Sequence, residues 1–188
     1  MNTEKNFKAN FKQYKIPVEL AELLKFQNRS DHSEEFSAGF YLGADYTDKS
    51  GLASYSSDEN FTNAIIEFAR ADGSGSTYAL WIIDGNKNLN EAPIVAFGSE
   101  GGIHIVAEDI KGLLEILTFD TEPTIGWEEV YYYKDEDEYD PSEYNEEYKK
   151  WVFEKFNITS TDDADQIVEN AQMIYEERFQ NWLKKYYQ

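Results

Sequence analysis

Three β-rich segments crowd into residues 77–107: TYALWII (Thr77–Ile83), PIVAF (Pro93–Phe97) and IHIVA (Ile103–Ala107). Asp84-Gly85-Asn86 closes the first, and Gly98-Ser99-Glu100-Gly101-Gly102 separates the other two. A parallel crossover needs about a dozen residues or more. Both connections are shorter than that, so the segments must run antiparallel, as a meander. A further short apolar run, Ile65–Ala69, precedes them across the turn Asp72-Gly73-Ser74-Gly75, where glycine tolerates backbone angles that other residues avoid.

Helical patterns lie on both sides of this block. Pro17 suits a first helical position because it has no amide hydrogen to leave unpaired, and Leu20, Leu23 and Leu24 then line one face up to Asn28. Asp109 is an N-cap for a helix whose apolar face is Ile110, Leu113, Leu114 and Leu117. Another helix is expected after Pro141-Ser142, carrying Tyr144, Tyr148, Trp151 and Val152. A long final one spans Asp163–Lys185, with Ile167, Ala171, Ile174, Tyr175, Trp182 and Leu183 at helical spacing. Asp162, Asp163 and Asp165 at its start and Lys184 and Lys185 at its end suit the helix dipole. Strands in succession with helices at both ends predict an α+β fold: a central antiparallel sheet flanked by helices, with a C-terminal helical extension. The expected division is a flexible N-terminus (1–13), an α+β core (14–120), and an acidic loop with C-terminal helices packed on that core (121–188). Glu35–Asp45 reads as a strand or strand-like edge, and Lys49–Asn60 as a loop.

The chain offers little for chemistry. It has no cysteine, which removes disulfides, thiolate metal sites and cysteine nucleophiles. Asp72-Gly73-Ser74-Gly75-Ser76 lacks the Gly-Lys-Ser/Thr of a phosphate loop, and a strand follows it where a dinucleotide site needs a helix. Asp84, Asn86, Asn88 and Asn90 alternate like calcium ligands, but Leu89 stands at the sixth position and Val95 at the twelfth. The histidines are His32 and His104, with no G-x-S-x-G serine to partner them. His104 is expected to face away from Ile103 and Ile105 and to bond a nearby acid or carbonyl. No catalytic residue, metal or cofactor is expected.

Charge narrows the partners. Seventeen Lys and Arg against 37 Asp and Glu leave −20, where a small soluble domain usually carries about 2 to 8 in magnitude. Such a chain repels nucleic acid and anionic membranes and attracts a basic protein. Residues 128–147 hold ten acids against one base, Lys134. Within and beside them stand Trp127, Tyr131, Tyr132, Tyr133 and Tyr139, among Glu128, Glu129, Asp135, Glu136, Asp137, Glu138 and Asp140. Aromatic side chains give rigid contact area and carboxylates steer a cationic partner, so these residues are the candidate partner-binding set, with Tyr132 as its central aromatic. The competing reading is a solvated acidic loop whose aromatics pack inward. The start, MNTEKNFKANF, has no apolar signal-like region, and no apolar run reaches membrane-spanning length, so a cytoplasmic protein is expected.

One chain of motifs resembles a known family. Phe68-Ala69, Asp72-Gly73-Ser74-Gly75, Tyr78-Ala79-Leu80-Trp81, the segment Pro93 to Gly101 and the helix Ile110-Lys111-Gly112-Leu113-Leu114 come in the order found in the SUKH superfamily. That group contains bacterial toxin-immunity proteins and fungal cell-wall regulators. The resemblance covers roughly residues 14 to 120, and Pro17–Phe26 matches the family's opening helix. It implies a single α+β domain without catalysis and, for bacterial members, binding to a toxin encoded alongside, often a nuclease. No contact residue carries over, because the family shares no fixed toxin-binding constellation. The expected function is therefore neutralisation of a basic toxin domain. The alternatives are an intracellular regulatory scaffold and, further off, a carbohydrate-active hydrolase using paired carboxylates.

Overall fold

The computed structural model describes residues 3–29, 35–43, 45–135 and 137–187. Five strands, β1 (Tyr41–Leu42), β2 (Ile65–Arg70), β3 (Thr77–Trp81), β4 (Ile94–Phe97) and β5 (Ile103–Ala107), form one sheet in the order β1-β2-β3-β4-β5. Every neighbouring pair is antiparallel. The fold is α+β, as the short connections require.

Helices cover both faces. Toward one face, Ile66, Tyr78, Leu80, Ile94 and Ala96 meet α1 (Thr3–Ala9), α2 (Val18–Gln27), α5 (Ile110–Ile116) and α6 (Asn145–Phe156) through residues such as Phe7, Leu20, Leu114 and Tyr148. Toward the other, Ile65, Ala79, Trp81, Val95 and Ile105 meet α3 (Ser50–Ala53), α4 (Glu59–Asn63) and α7 (Ala164–Leu183) through Leu52, Phe61, Phe179 and Leu183. This double cover explains why the strands read as unbroken apolar runs, since neither parity had to be polar. Trp81 falls on the α7 side, 4.9 Å from Phe179 and 5.4 Å from Trp182 between ring centroids, while Leu80 and Ile82 point the opposite way.

Glutamine side chains close both sheet edges. The Gln27 amide accepts from the Leu42 N–H at 2.8 Å and donates to the Leu42 carbonyl at 2.7 Å, so it stands where a neighbouring strand would. On β5, Gln172 of α7 donates to the Ile105 carbonyl at 3.1 Å.

Several expectations need correction. Residues 3–9, inside the stretch expected to be flexible, form a helix, and Phe7 within it and Phe11 beside it are buried. Among the described residues of 35–45, Tyr41 and Leu42 alone pair as a strand. Lys49–Asn60 contains α3 and the start of α4; Lys49 donates to the carbonyls of Thr62 and Ile65, tying that segment to the end of α4. The expected strand Thr77–Ile83 ends at Trp81, and the chain tightens into a 3₁₀ turn with Asp84 at φ +50°. A second sheet was not anticipated: β6 (Pro123–Ile125) and β7 (Val130–Tyr132).

The two pseudo-motifs are turns. Asp72 Oδ1 accepts from the N–H groups of Ser74, Gly75 and Ser76, each at 2.9 Å, so the donors a phosphate would need serve the chain's own carboxylate. The Asn86 and Asn88 side-chain oxygens accept from the backbone two residues on. Among the described residues, no helix is long and apolar enough to cross a membrane.

Candidate protein-binding face

The candidate residues divide at Lys134 into two structures with different tasks. The first is the β6–β7 hairpin, paired Pro123 to Tyr132, Thr124 to Tyr131 and Ile125 to Val130. The Gly126 N–H donates to the Glu129 carbonyl at 2.9 Å, which puts Trp127 and Glu128 at the tip. Alternation along β7 then sorts the tyrosines: Val130 and Tyr132 point inward, Tyr131 and Tyr133 outward.

Trp127 is 69% exposed, Tyr133 68% and Tyr131 39%, whereas Tyr132 is 5%. Glu128 and Glu129 are exposed beside them. Tyr132 is thus corrected from central contact residue to core residue. Its hydroxyl shares a 2.7 Å hydrogen bond with that of Tyr78, and burial raises the pKa of both phenols. Its backbone N–H donates to Asp165 Oδ1 at 2.7 Å, so the first turn of α7 holds β7 in place.

The tip is seated on the β4–β5 turn. His104 Nε2 lies 2.8 Å from the Gly126 carbonyl, and since a carbonyl only accepts, the ring carries its hydrogen on that nitrogen. His104 is itself buried, under the hairpin. Gly101 (φ +116°) and Gly102 (φ +84°) allow the approach: a Cβ on Gly101 would run into the six-membered ring of Trp127, and one on Gly102 into the Gly126 carbonyl. The sequence marked these glycines only as a turn. Their second task, making room for another piece of chain, has no periodicity to reveal it.

The second structure follows. Lys134 lies over the rings of Phe119 and Tyr139, 4.4 and 4.0 Å from their centroids, and desolvation pulls its ammonium pKa down. Tyr139 turns inward and donates to Asp120 Oδ2 at 2.6 Å; burial first and this carboxylate second push its phenol up. Asp120, 1% exposed, also accepts from the Ala38 N–H (2.9 Å), the Ser142 N–H (2.9 Å) and the Ser142 hydroxyl (2.6 Å). It joins three stretches of chain, and no sequence signal singled it out from 36 other acids. Asp135, Asp137, Glu138 and Asp140 are exposed around a turn in which the Tyr139 N–H donates to the Asp135 carbonyl at 2.8 Å. Glu136 and His32 lie outside the described residues.

The outward set is therefore Trp127, Glu128, Glu129, Tyr131 and Tyr133 on a braced hairpin, with solvated acids Asp135, Asp137, Glu138 and Asp140 after it. Elsewhere, a concavity of about 780 Å³ lies between α7 and residues 81–85. Its Asp84 is paired with Arg178 at 2.6 Å. Glu67 and Glu115, carboxyls whose pKa burial raises, lie outside it. Comparison with protein-family models, curated proteins and solved structures finds no match.

Proposed function

We propose that this chain is a non-enzymatic immunity protein of the cytoplasm that binds a basic toxin domain, a nuclease by charge, and blocks it by occupying its polyanion-binding surface. One observation carries the reading: three exposed aromatics, Trp127, Tyr131 and Tyr133, stand on a hairpin fixed from beneath and framed by carboxylates, in a chain of net charge −20. Exposed aromatic area on a rigid support is what interface anchors need, because little conformational freedom remains to be lost on binding. The surrounding acids raise the encounter rate with a cationic surface and disfavour nucleic acid as a competitor. The order of motifs, which resembles that of the SUKH superfamily, is in keeping with this reading.

The test is association with the product of a toxin gene encoded beside this one. The two proteins are expected to co-purify, and association should slow strongly between about 0.05 and 0.5 M salt as the screening length falls below roughly 5 Å. Changing Asp135, Glu136, Asp137 and Glu138 together to lysine should lower the association rate with the fold intact. Trp127→Ala should instead raise the dissociation rate. Salt-independent association with unchanged rates in both variants defeats the proposal.

A further inference from the structure

Residues 5–18 hold four lysines and no acid, in a chain where acids outnumber bases 37 to 17. One of the four, Lys12, lines a cavity of about 300 Å³ between residues 10–14 and the segment 49–66. The polar lining is Asn10, Lys12, Gln13, Tyr14, Lys49 and Asn63, all of which can donate a hydrogen bond and none of which is a carboxylate. The concavity beside α7 differs, since it sets Asp84 and Glu177 next to Arg178 and Lys185. Lys12 is exposed and Lys49 half-buried. The Lys49 ammonium donates to the carbonyls of Thr62 and Ile65, which take two of its three hydrogens and none of its charge. Desolvation first and the like charge of Lys12 second pull its pKa down to about 8, and the attraction of Glu67 is weaker than either. The two lysines therefore converge, and among the described residues neither forms an ion pair. Both also stand at left-handed backbone angles, φ +49° and +54°, which lysine seldom adopts and which gather where ligands are held.

Two uncompensated positive charges beside a cavity whose other polar groups can donate call for an anion with several acceptor oxygens and more than one negative charge. A phosphate group has both; a carboxylate has one charge and two oxygens. The cavity holds about ten times the ~30 Å³ that one water occupies in the liquid, more than a phosphate group fills. Phe11 and Ile66, which complete the lining, offer the remaining space to carbon. We infer that this cavity binds a phosphate group, as the free ion or as a small phosphomonoester, between Lys12 and Lys49.

The probes are inorganic phosphate, glycerol 3-phosphate and acetate, each titrated into the full chain at pH 7 and fixed ionic strength and followed by NMR at the amides of Lys12, Lys49 and Asn63. Saturable shifts are expected with both phosphates, at about tenfold tighter affinity than acetate. Tighter binding of glycerol 3-phosphate identifies the monoester as the preferred form, and tighter binding of inorganic phosphate identifies the free ion. Lys12→Gln and Lys49→Gln should each weaken phosphate binding about fivefold. Lys5→Gln, in the same basic segment but outside the cavity, should leave it within about twofold. Because Lys49 also holds the end of α4, Lys12→Gln at its exposed position carries the test if the Lys49 variant does not fold. Bound phosphate should also raise the Lys49 pKa above about 8, as followed at its ε-carbon, because an adjacent anion favours the charged ammonium. No saturation by about 20 mM of either phosphate, acetate bound as tightly as phosphate, or binding indifferent to Lys12→Gln overturns the inference.

Discussion

Glu67 carries a penalty that pH can expose. It is 5% accessible on β2, its Oε1 accepts from the Thr77 hydroxyl at 3.0 Å, and burial raises its pKa against the opposing effects of Thr77 and Lys49. The folded chain therefore holds this proton to higher pH than the unfolded chain. Glu67's contribution to stability is full below the ordinary value of 4.5 and is lost as pH rises toward the raised one. Glu67→Gln should be more stable than the parent at pH 7, with the difference shrinking toward pH 4, as measured by urea unfolding at both. Tyr132→Phe should cost about 1–3 kcal/mol in the same assay, because it strips the Tyr78 hydroxyl of its partner in a fully buried setting. Tyr132 also shows where residue-scale reading stops. In Tyr131-Tyr132-Tyr133 the side chains are identical, so no polarity pattern marks which parity faces inward; the four-residue tip sets it. His104 was more legible, since a ring flanked by core isoleucines needs a partner, and a carbonyl supplied it.

At the scale of elements, legibility followed length and apolar content. β2 to β5 and α7 announced themselves because each buries a continuous apolar set. The hairpin β6–β7 did not: each strand has three residues, and the glutamates around it mask the alternation. α3 (SGLA) and α4 (ENFTN) are short and set in a segment rich in Ser, Asp and Asn, residues whose side chains bond the backbone in turns as readily as at helix ends. α7 matters most for integrity, because it covers Trp81, Val95, Ile103 and Ile105. Phe179→Ala, at a fully buried position, should cost about 3–5 kcal/mol. A chain ending at residue 163 should lose its near-ultraviolet circular dichroism and its cooperative unfolding transition, having bared the part of one sheet face that α7 covers.

For the whole molecule, charge is the dominant fact and the one the sequence displays most openly. Several ion pairs among the described residues are solvent-facing, such as Lys8 with Glu4 and Lys150 with Glu154, and contribute little individually. Self-repulsion of an excess of twenty negative charges outweighs them. Added sodium chloride, from about 0.02 to 0.5 M, should therefore raise the melting temperature, the reverse of what a protein stabilised by surface pairs would show. What composition could not display is where carboxylates meet aromatics on one rigid surface, since that depends on the hairpin's seat at Gly101 and Gly102.

The way the hairpin is fastened has a consequence for descent. Its anchors are a main-chain carbonyl at Gly126, a main-chain N–H at Tyr132 and two inward side chains, Val130 and Tyr132. None of the outward residues takes part in those hydrogen bonds. Glu128, Glu129, Tyr131 and Tyr133 can consequently be exchanged while the fold is inherited unchanged. Such a surface can change one substitution at a time, its lineage keeping the frame and rewriting only the letters it shows.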